Sequence, residues 1–277
     1  MGKRLCILHA NCQGPPLLDR LMLSPDFSAN YECTVFTNYT REPVPESTLA
    51  RCSLFLYQHL GPGWGPLASE SLLRQLPPDA EHLCIPNMFF KGYWPMWSGE
   101  SGFDYRCTHL EKYLSMGLPP EQTVMLFLRS DVTRHYDLLE LVSESIALER
   151  ERESHTPIPY LEVIKEGYRD QRLFNTVNHP GKELMNHVAK GVMQHLSLAL
   201  PEETRLEALG EPFPEFEQPI NPKIAQHFGW DFATTDTHYQ IYGRTMTYAR
   251  YVANYVLARQ SGITDFIGFL QGASSAI

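Results

Sequence analysis

The chain has little that would tie it to a membrane, a metal or a nucleic acid. No stretch approaches the ~18 consecutive apolar residues of a bilayer-spanning helix. The six cysteines (Cys6, Cys12, Cys33, Cys52, Cys84, Cys107) include no CxxC pair, and the histidines do not fall beside them at zinc-ligand spacing, so no metal is expected. Basic residues are the scarcer charge: 23 Lys and Arg stand against 32 Asp and Glu, a net charge of −9. That balance argues against a nucleic-acid partner, which wants a basic face. Neither GxGxxG nor GxxxxGK[ST] occurs, which disfavours a dinucleotide oxidoreductase or a P-loop kinase. The first apolar run is too short for a signal-peptide core, and Cys6 stands where a myristoylation signal wants Ser or Thr. A cytoplasmic location is the expectation.

What remains is an ordinary globular composition, 43% hydrophobic and 20% charged. At 277 residues the chain has room for one large domain or two modest ones. Apolar runs at 4–9, 32–37, 53–57 and 82–86 read as strands, separated by helical segments at 15–24 and 67–76. Strands this apolar, alternating with helices, predict an α/β fold with a parallel sheet covered on both faces. From about residue 105 helical periodicity dominates, with expected helices at 105–116, 131–153, 158–171, 181–198, 221–228 and 236–260 and a further strand at 123–128. The expected organisation is a sheet region over 1–104 and a mainly helical region over 105–277, packed on it or continuous with it. The run Glu149 to Glu153, alternating in charge, reads as a solvated helix end.

The chemistry-bearing residues gather first at Asn11-Cys12-Gln13, where strand 4–9 meets a turn and Pro15 or Pro16 opens a helix. A cysteine there sits near unpaired N–H groups and the positive end of a helix, which favour a thiolate. Asn11, Gln13 and the turn's backbone N–H groups are the donor types from which an oxyanion hole is made. The alternative is a small, half-buried turn residue with no chemistry. Further along, His179 precedes Pro180 at an expected helix start. The helix dipole disfavours its charged form there and leaves it available as a base. Cys12 and His179 then form a thiol–imidazole pair if the fold brings them together, and Asp131, Asp137 and Glu183 are open choices for a third, orienting group.

Four motifs in this order, Asn11-Cys12-Gln13, Tyr57-Gln58, Pro86-Asn87 with Phe90-Lys91-Gly92-Tyr93-Trp94-Pro95, and Asn178-His179-Pro180, resemble the WcbI-type polysaccharide biosynthesis proteins over about residues 4–200. Those proteins commonly carry Gly before Asn-Cys-Gln, where this chain has Ala10. The resemblance implies an O-acetyltransferase that uses acetyl-CoA to modify a sugar hydroxyl in capsule-type polysaccharide. Under it Cys12, His179, Gln13 and Asn11 are the catalytic candidates: His179 as base, Asn11, Gln13 or Gln58 as donors, and Cys12 either carrying the acetyl group or lining the pocket. Gln58, His59, Asn87, Lys91, Tyr93, Arg129 and Lys182 are candidates for binding coenzyme A, with Arg134 a further cation for its phosphates. The implied partner is a sugar or polysaccharide acceptor.

Two other classes fit the same pattern. An SGNH-type esterase also puts its nucleophile after the first strand, although the Gly-Asp-Ser turn and late Asp-x-x-His are missing. A non-catalytic carbohydrate-binding protein would use Trp64, Tyr93, Trp94 and Trp97 to stack on sugar faces.

Overall fold

The computed structural model describes residues 2–272. The first part of the chain runs β1 (Arg4–Ala10), α1 (Gly14–Leu21), α2 (Pro25–Asn30), β2 (Tyr31–Thr37), α3 (Glu46–Leu49), β3 (Cys52–Gln58), α4 (Ser69–Leu73) and β4 (Glu81–Ile85). It continues through β5 (Trp97–Ser98), β6 (Arg106–Cys107), α5 (Thr108–Leu114), α6 (Pro120–Arg129), α7 (Leu138–Glu153), α8 (Leu161–Gly167), β7 (Phe174–Thr176), β8 (His179–Pro180) and α9 (Lys182–His195). The last elements are α10 (Glu203–Ala208), α11 (Pro222–Phe228), β9 (Tyr239–Ile241), β10 (Arg244–Met246), α12 (Tyr248–Gln260) and α13 (Phe266–Gly272). The fold is the expected α/β type, with a helical C-terminal half.

Contacts divide the chain into two compact units. One comprises residues 2–89 with Ala147–Glu166 and Asn178–Pro212; the other comprises Phe90–Ile146, Gly167–Val177 and 213–272.

The first unit is built on a four-stranded sheet in the order β2-β1-β3-β4, every pair parallel. Cys6, Ile7 and Leu8 of β1 and Leu54, Phe55 and Leu56 of β3 are fully enclosed, as central strands covered on both faces require. Each such Leu or Phe contributes roughly 1.5–3 kcal/mol of burial. Ile7, Phe55, Cys52, Leu49 and Leu72 form one apolar cluster on this sheet. Cys52 and Cys84 are core residues, their thiols pushed up to about 11 by burial. Order 2-1-3-4 reverses direction between β1 and β3, and the crevice at the carboxyl ends of those strands is where open α/β sheets bind ligands.

The second unit is mainly helical and strongly aromatic. Phe103, Phe127, Phe216, Tyr239, Tyr251, Tyr255 and Phe266 share its core with Ile241 and Val256. Three expectations are corrected here. Residues 123–128 are helix, not strand, because Pro120 occupies the first turn of α6, where its missing N–H costs nothing. The expected helix at 236–260 starts only at Tyr248; before it, β9 and β10 pair through a two-residue turn. Tyr242 (φ 47) and Gly243 (φ 80) both take the left-handed conformation that a type I′ hairpin turn demands. The helix expected from 131 begins at Leu138, because Asp131 instead caps a 3-10 turn by accepting from the Thr133 N–H.

Candidate active site

The carboxyl end of β1 runs straight into the Asn-Cys-Gln turn. Gln13 is the N-cap of α1, Pro15 and Pro16 lie in its first turn, and Cys12 immediately precedes the cap. Ala10 closes the strand, fully buried and without positive φ, so a Cβ is tolerated at this position. The constraint falls on Gly14 instead: a Cβ there would lie 3.1 Å from the Ala10 Cβ. Behind the turn, buried Arg20 on α1 donates from Nε to Asn186 Oδ1 on α9 at 2.7 Å, which locks the two helices together.

Four polar side chains knit the turn to the neighbouring strands. The Asn11 N–H donates to Gln58 Oε1 (2.8 Å), joining the ends of β1 and β3 at the switch point. Asn11 Nδ2 donates to Asn87 Oδ1 (3.0 Å), just beyond β4, and its Oδ1 accepts the Gln13 N–H (2.9 Å). Gln13, 3% exposed, donates from Nε2 to the carbonyls of Met88 (2.7 Å) and Asn178 (3.0 Å). Its Oε1 accepts from the Met88 N–H (3.2 Å) and from Gln58 Nε2 (3.3 Å), and Gln58 Nε2 also donates to the Pro86 carbonyl (3.1 Å). The Gln13 amide is therefore committed at both ends to holding the loops.

Asn178 completes the group. Its carbonyl is held by Gln13, and its Nδ2 donates to Cys12 Sγ at 3.5 Å. The structure thus brings the 178–179 segment to the cysteine turn. His179 is half-buried in β8, two residues ahead of the α9 cap Gly181, rather than at the cap itself. Its imidazole is lowered to about 4, and the cause is burial rather than the helix dipole. It is neutral at physiological pH.

A cavity of about 240 Å³ lies in the same unit, lined by Asn87, Arg152, His59, His155, Ile85 and Leu148. Asn87 links it to the turn through Asn11. His59 and His155 stack face to face with ring centres 3.7 Å apart. Burial and the neighbouring His155 both lower the His59 pKa.

Under this cavity sits a residue that sequence reasoning missed. Glu149, expected in a solvated run, is fully buried. Its carboxylate accepts from Arg152 Nη1, from the Phe89 N–H (3.0 Å) and from the Tyr160 hydroxyl (3.1 Å). Burial raises it to about 7, against the pull of Arg152. Glu153 likewise accepts the N–H groups of Tyr160 and Leu161, capping α8. The signal was helical spacing: Val142, Ser145 and Glu149 are all buried along α7.

The remaining candidates sit elsewhere. Lys182 is paired with Glu207 at 2.7 Å, and its N–H donates to Glu211. Lys91, Tyr93 and Arg129 belong to the second unit. Tyr93 is sealed there, its hydroxyl donating to the carbonyls of Tyr168 and Gln171. Lys91 lies 5.9 Å from the Trp97 ring, and Arg129 is exposed at the end of α6. Asp137 caps the Glu140 N–H, Arg134 pairs with Asp131, and Trp64 stacks with Arg41. Glu183 is exposed in the first turn of α9. No cluster of three metal-ligating side chains occurs among the described residues, and no helix among them is long and apolar enough to cross a membrane.

A parallel α/β sheet that presents a cysteine turn, pinned by Asn and Gln side chains, at its topological switch point defines the class. The model of the polysaccharide biosynthesis enzyme WcbI family matches residues 5–201, and the chain belongs to that family. One solved structure, described as native WcbI, a polysaccharide biosynthesis enzyme, without a disulfide bond between COA and one of its cysteines, has the same fold at a TM-score of 0.75. It is 20% identical, with 99% of this chain and 96% of that one covered. No match was found among curated proteins.

Proposed function

We propose that the protein transfers the acetyl group of acetyl-CoA to a hydroxyl of a sugar in capsule-type polysaccharide synthesis. The observation that carries this reading is the approach of Asn178 to the Cys12 sulfur, at the carboxyl edge of the sheet, on a loop that also bears His179. Acetyl-CoA supplies an activated thioester carbonyl. Cys12 Sγ takes up the acetyl group by attacking that carbonyl, and the released thiol leaves with the cysteine's proton. Neutral His179 then accepts the proton of the sugar hydroxyl as the oxygen attacks the acyl carbon, and it passes that proton to the departing Cys12 sulfur, which restores both groups. A direct transfer, with Cys12 lining the pocket and His179 alone as base, gives the same products.

Gln13 serves this chemistry by position. Its amide has no donor left for an oxyanion, so that task falls to Asn11, whose Nδ2 carries two N–H groups. The cavity of His59, His155 and Arg152 supports the coenzyme reading. A guanidinium beside two stacked imidazoles offers hydrogen-bond donors to an anion, which suits a phosphate group on a mainly acidic protein. Asn87, shared between turn and cavity, would orient the chain between the phosphates and the thioester. Lys182, tied to Glu207, contributes less than its position in the sequence suggested.

Purified protein incubated with acetyl-CoA and a panel of sugar acceptors tests the reading. Consumption of acetyl-CoA is the expected result, and on the covalent route it falls by roughly a thousandfold or more in Cys12→Ala with the fold intact. Intact mass after acetyl-CoA alone separates the routes, since only the covalent one leaves an acetyl increment on Cys12. Rapid hydrolysis of a chromogenic acetyl ester with no affinity for coenzyme A would overturn the reading in favour of an esterase. Sugar binding that survives Cys12→Ala with cellular acetylation unchanged would overturn it in favour of a binding protein.

A further inference from the structure

The second unit carries two adjoining cavities that the acetyl-transfer reading leaves unused. A narrow slot of about 50 Å³ is walled by Trp94, Trp97, Tyr105, Arg106, Gln218 and Tyr251 among others. A wider cavity of about 510 Å³ is lined by Lys223, Gln226, Thr234 and Thr235. Phe127, Asn221 and Tyr248 line both, so the slot opens beside the wider space. The larger volume falls within the ~300–1,000 Å³ of ordinary small-molecule sites.

Three polar atoms on residues lining the slot are buried and have no hydrogen-bond partner: Gln218 Oε1, the Tyr251 hydroxyl and Arg106 Nε. Gln218 and Tyr251 are 5% and 6% exposed. Buried polar atoms in native proteins are nearly always bonded, so three on one slot call for a ligand that brings both donors and acceptors. A hydroxyl offers both, a donor for an oxygen such as Gln218 Oε1 and an acceptor for an N–H such as Arg106 Nε. Tyr105 adds a second sign, because it holds φ 51, a conformation that a bulky residue takes only under constraint and that collects at binding sites. Aromatic walls around hydroxyl-matching groups are the chemistry that recognises a pyranose ring, apolar on its C–H face and polar at its rim. Charge points to a neutral ring. Among the described residues no carboxylate lines either cavity, Arg106 Nη1 already pairs with Glu100 at 2.6 Å, and Lys223 Nζ donates to the Ser130 carbonyl at 2.7 Å.

We infer that these two cavities bind an uncharged pyranose unit of a glycan, with the slot taking one hydroxyl-bearing substituent of the ring. The inference rests on the reading of the protein as a sugar-modifying enzyme, and its test uses binding rather than transfer. Saturation-transfer NMR on the full chain, with the methyl glycosides of glucose, galactose, mannose and N-acetylglucosamine at millimolar concentration, is expected to show contact for at least one of them. Tyr251→Phe removes a hydroxyl that has no protein partner, so its thermal midpoint is expected to hold while glycoside affinity falls roughly five- to tenfold. Trp97→Ala, at a partly exposed wall, is expected to weaken binding in the same way, and Cys12→Ala to leave it unchanged. Silence from all four glycosides with wild-type protein would overturn the inference, as would unchanged affinity in both wall variants. Glycoside binding without any acetyl transfer would sink the transferase reading and leave this one standing. Acetyl transfer with an unaltered sugar KM in both variants would do the reverse.

Discussion

Gln13 and Gln218 are buried almost equally, at 3% and 5% exposure, and are used in opposite ways. Gln13, in the sheet unit, spends its whole amide on Met88, Asn178 and Gln58. Gln218, in the helical unit, keeps an acceptor oxygen that has no hydrogen-bond partner among the described residues. A saturated amide cannot serve a substrate, but it fixes three loops against one another; an unsaturated one fixes little and is ready to recognise. The sheet unit therefore has a rigid frame around its cysteine, and the helical unit has a slot that asks for a partner.

The largest effect is expected from breaking the frame. Gln13→Ala takes from the Met88 N–H, the Met88 carbonyl and the Asn178 carbonyl the hydrogen bonds that Gln13 gives them, while Gln58 Nε2 keeps the Pro86 carbonyl. At about 1 kcal/mol for each of these three bonds, the loss is on the order of 3 kcal/mol. Urea denaturation measures it. A loss under ~1 kcal/mol would mean that the network is replaceable and that Gln13 holds nothing in place.

Glu149 sharpens the comparison by making the frame sensitive to pH. Its carboxyl is raised from 4.5 in the unfolded chain to about 7 in the folded one. Between those values the folded state binds more protons, so this contribution to stability falls as pH rises and is fully lost above 7. His9 and His179, lowered from 6.5 to about 4 by burial, slope the other way over the lower part of that range. His109, at about 4 in the helical unit, adds to their slope. Glu149→Gln keeps the acceptor for the Phe89 N–H and removes the titration. The variant is expected to gain about 2–3 kcal/mol on wild type between pH 5 and pH 8, leaving only the histidine slope. Thermal unfolding across pH checks this, and parallel curves for the two proteins would refute it. Because Phe89 follows Met88, which Gln13 grips, the ionisation acts close to the cysteine turn.

How much of this was legible in the sequence follows from how local each feature is. The strands of the sheet could be read because each is a short apolar run ending at a turn residue, and the cysteine turn because it follows the first of them. That Asn87 and Gln58 lie beside the cysteine turn follows from the loops that carry them, since loops at one sheet edge meet whatever their separation in the chain. The role of Gln13 was not legible: its partners lie up to 165 residues away, and a glutamine that donates to substrate looks the same in sequence as one that braces a loop. Glu149 was hidden by composition, because alternating charge is usually solvated and only the spacing from Val142 and Ser145 hinted at an inward face. The β9–β10 hairpin was lost to the helical pattern of α12 beside it, and its two-residue turn has Tyr rather than Asn or Asp before Gly.

The smallest effect belongs to Gln218, and its smallness is the point. Gln218→Met keeps the length of the side chain and discards an oxygen that has no partner. The backbone of the residue stays bound, its N–H on the Asn175 carbonyl and its own carbonyl on Arg172. Removing an unsatisfied buried acceptor at nearly constant volume is expected to shift stability by less than ~1 kcal/mol, and toward the more stable side. The same substitution should still weaken methyl glycoside binding, because the acceptor for the sugar hydroxyl has gone. A Gln218→Met protein destabilised as strongly as Gln13→Ala would show that the two glutamines do the same structural work, and the contrast between a braced unit and a receptive one would fail.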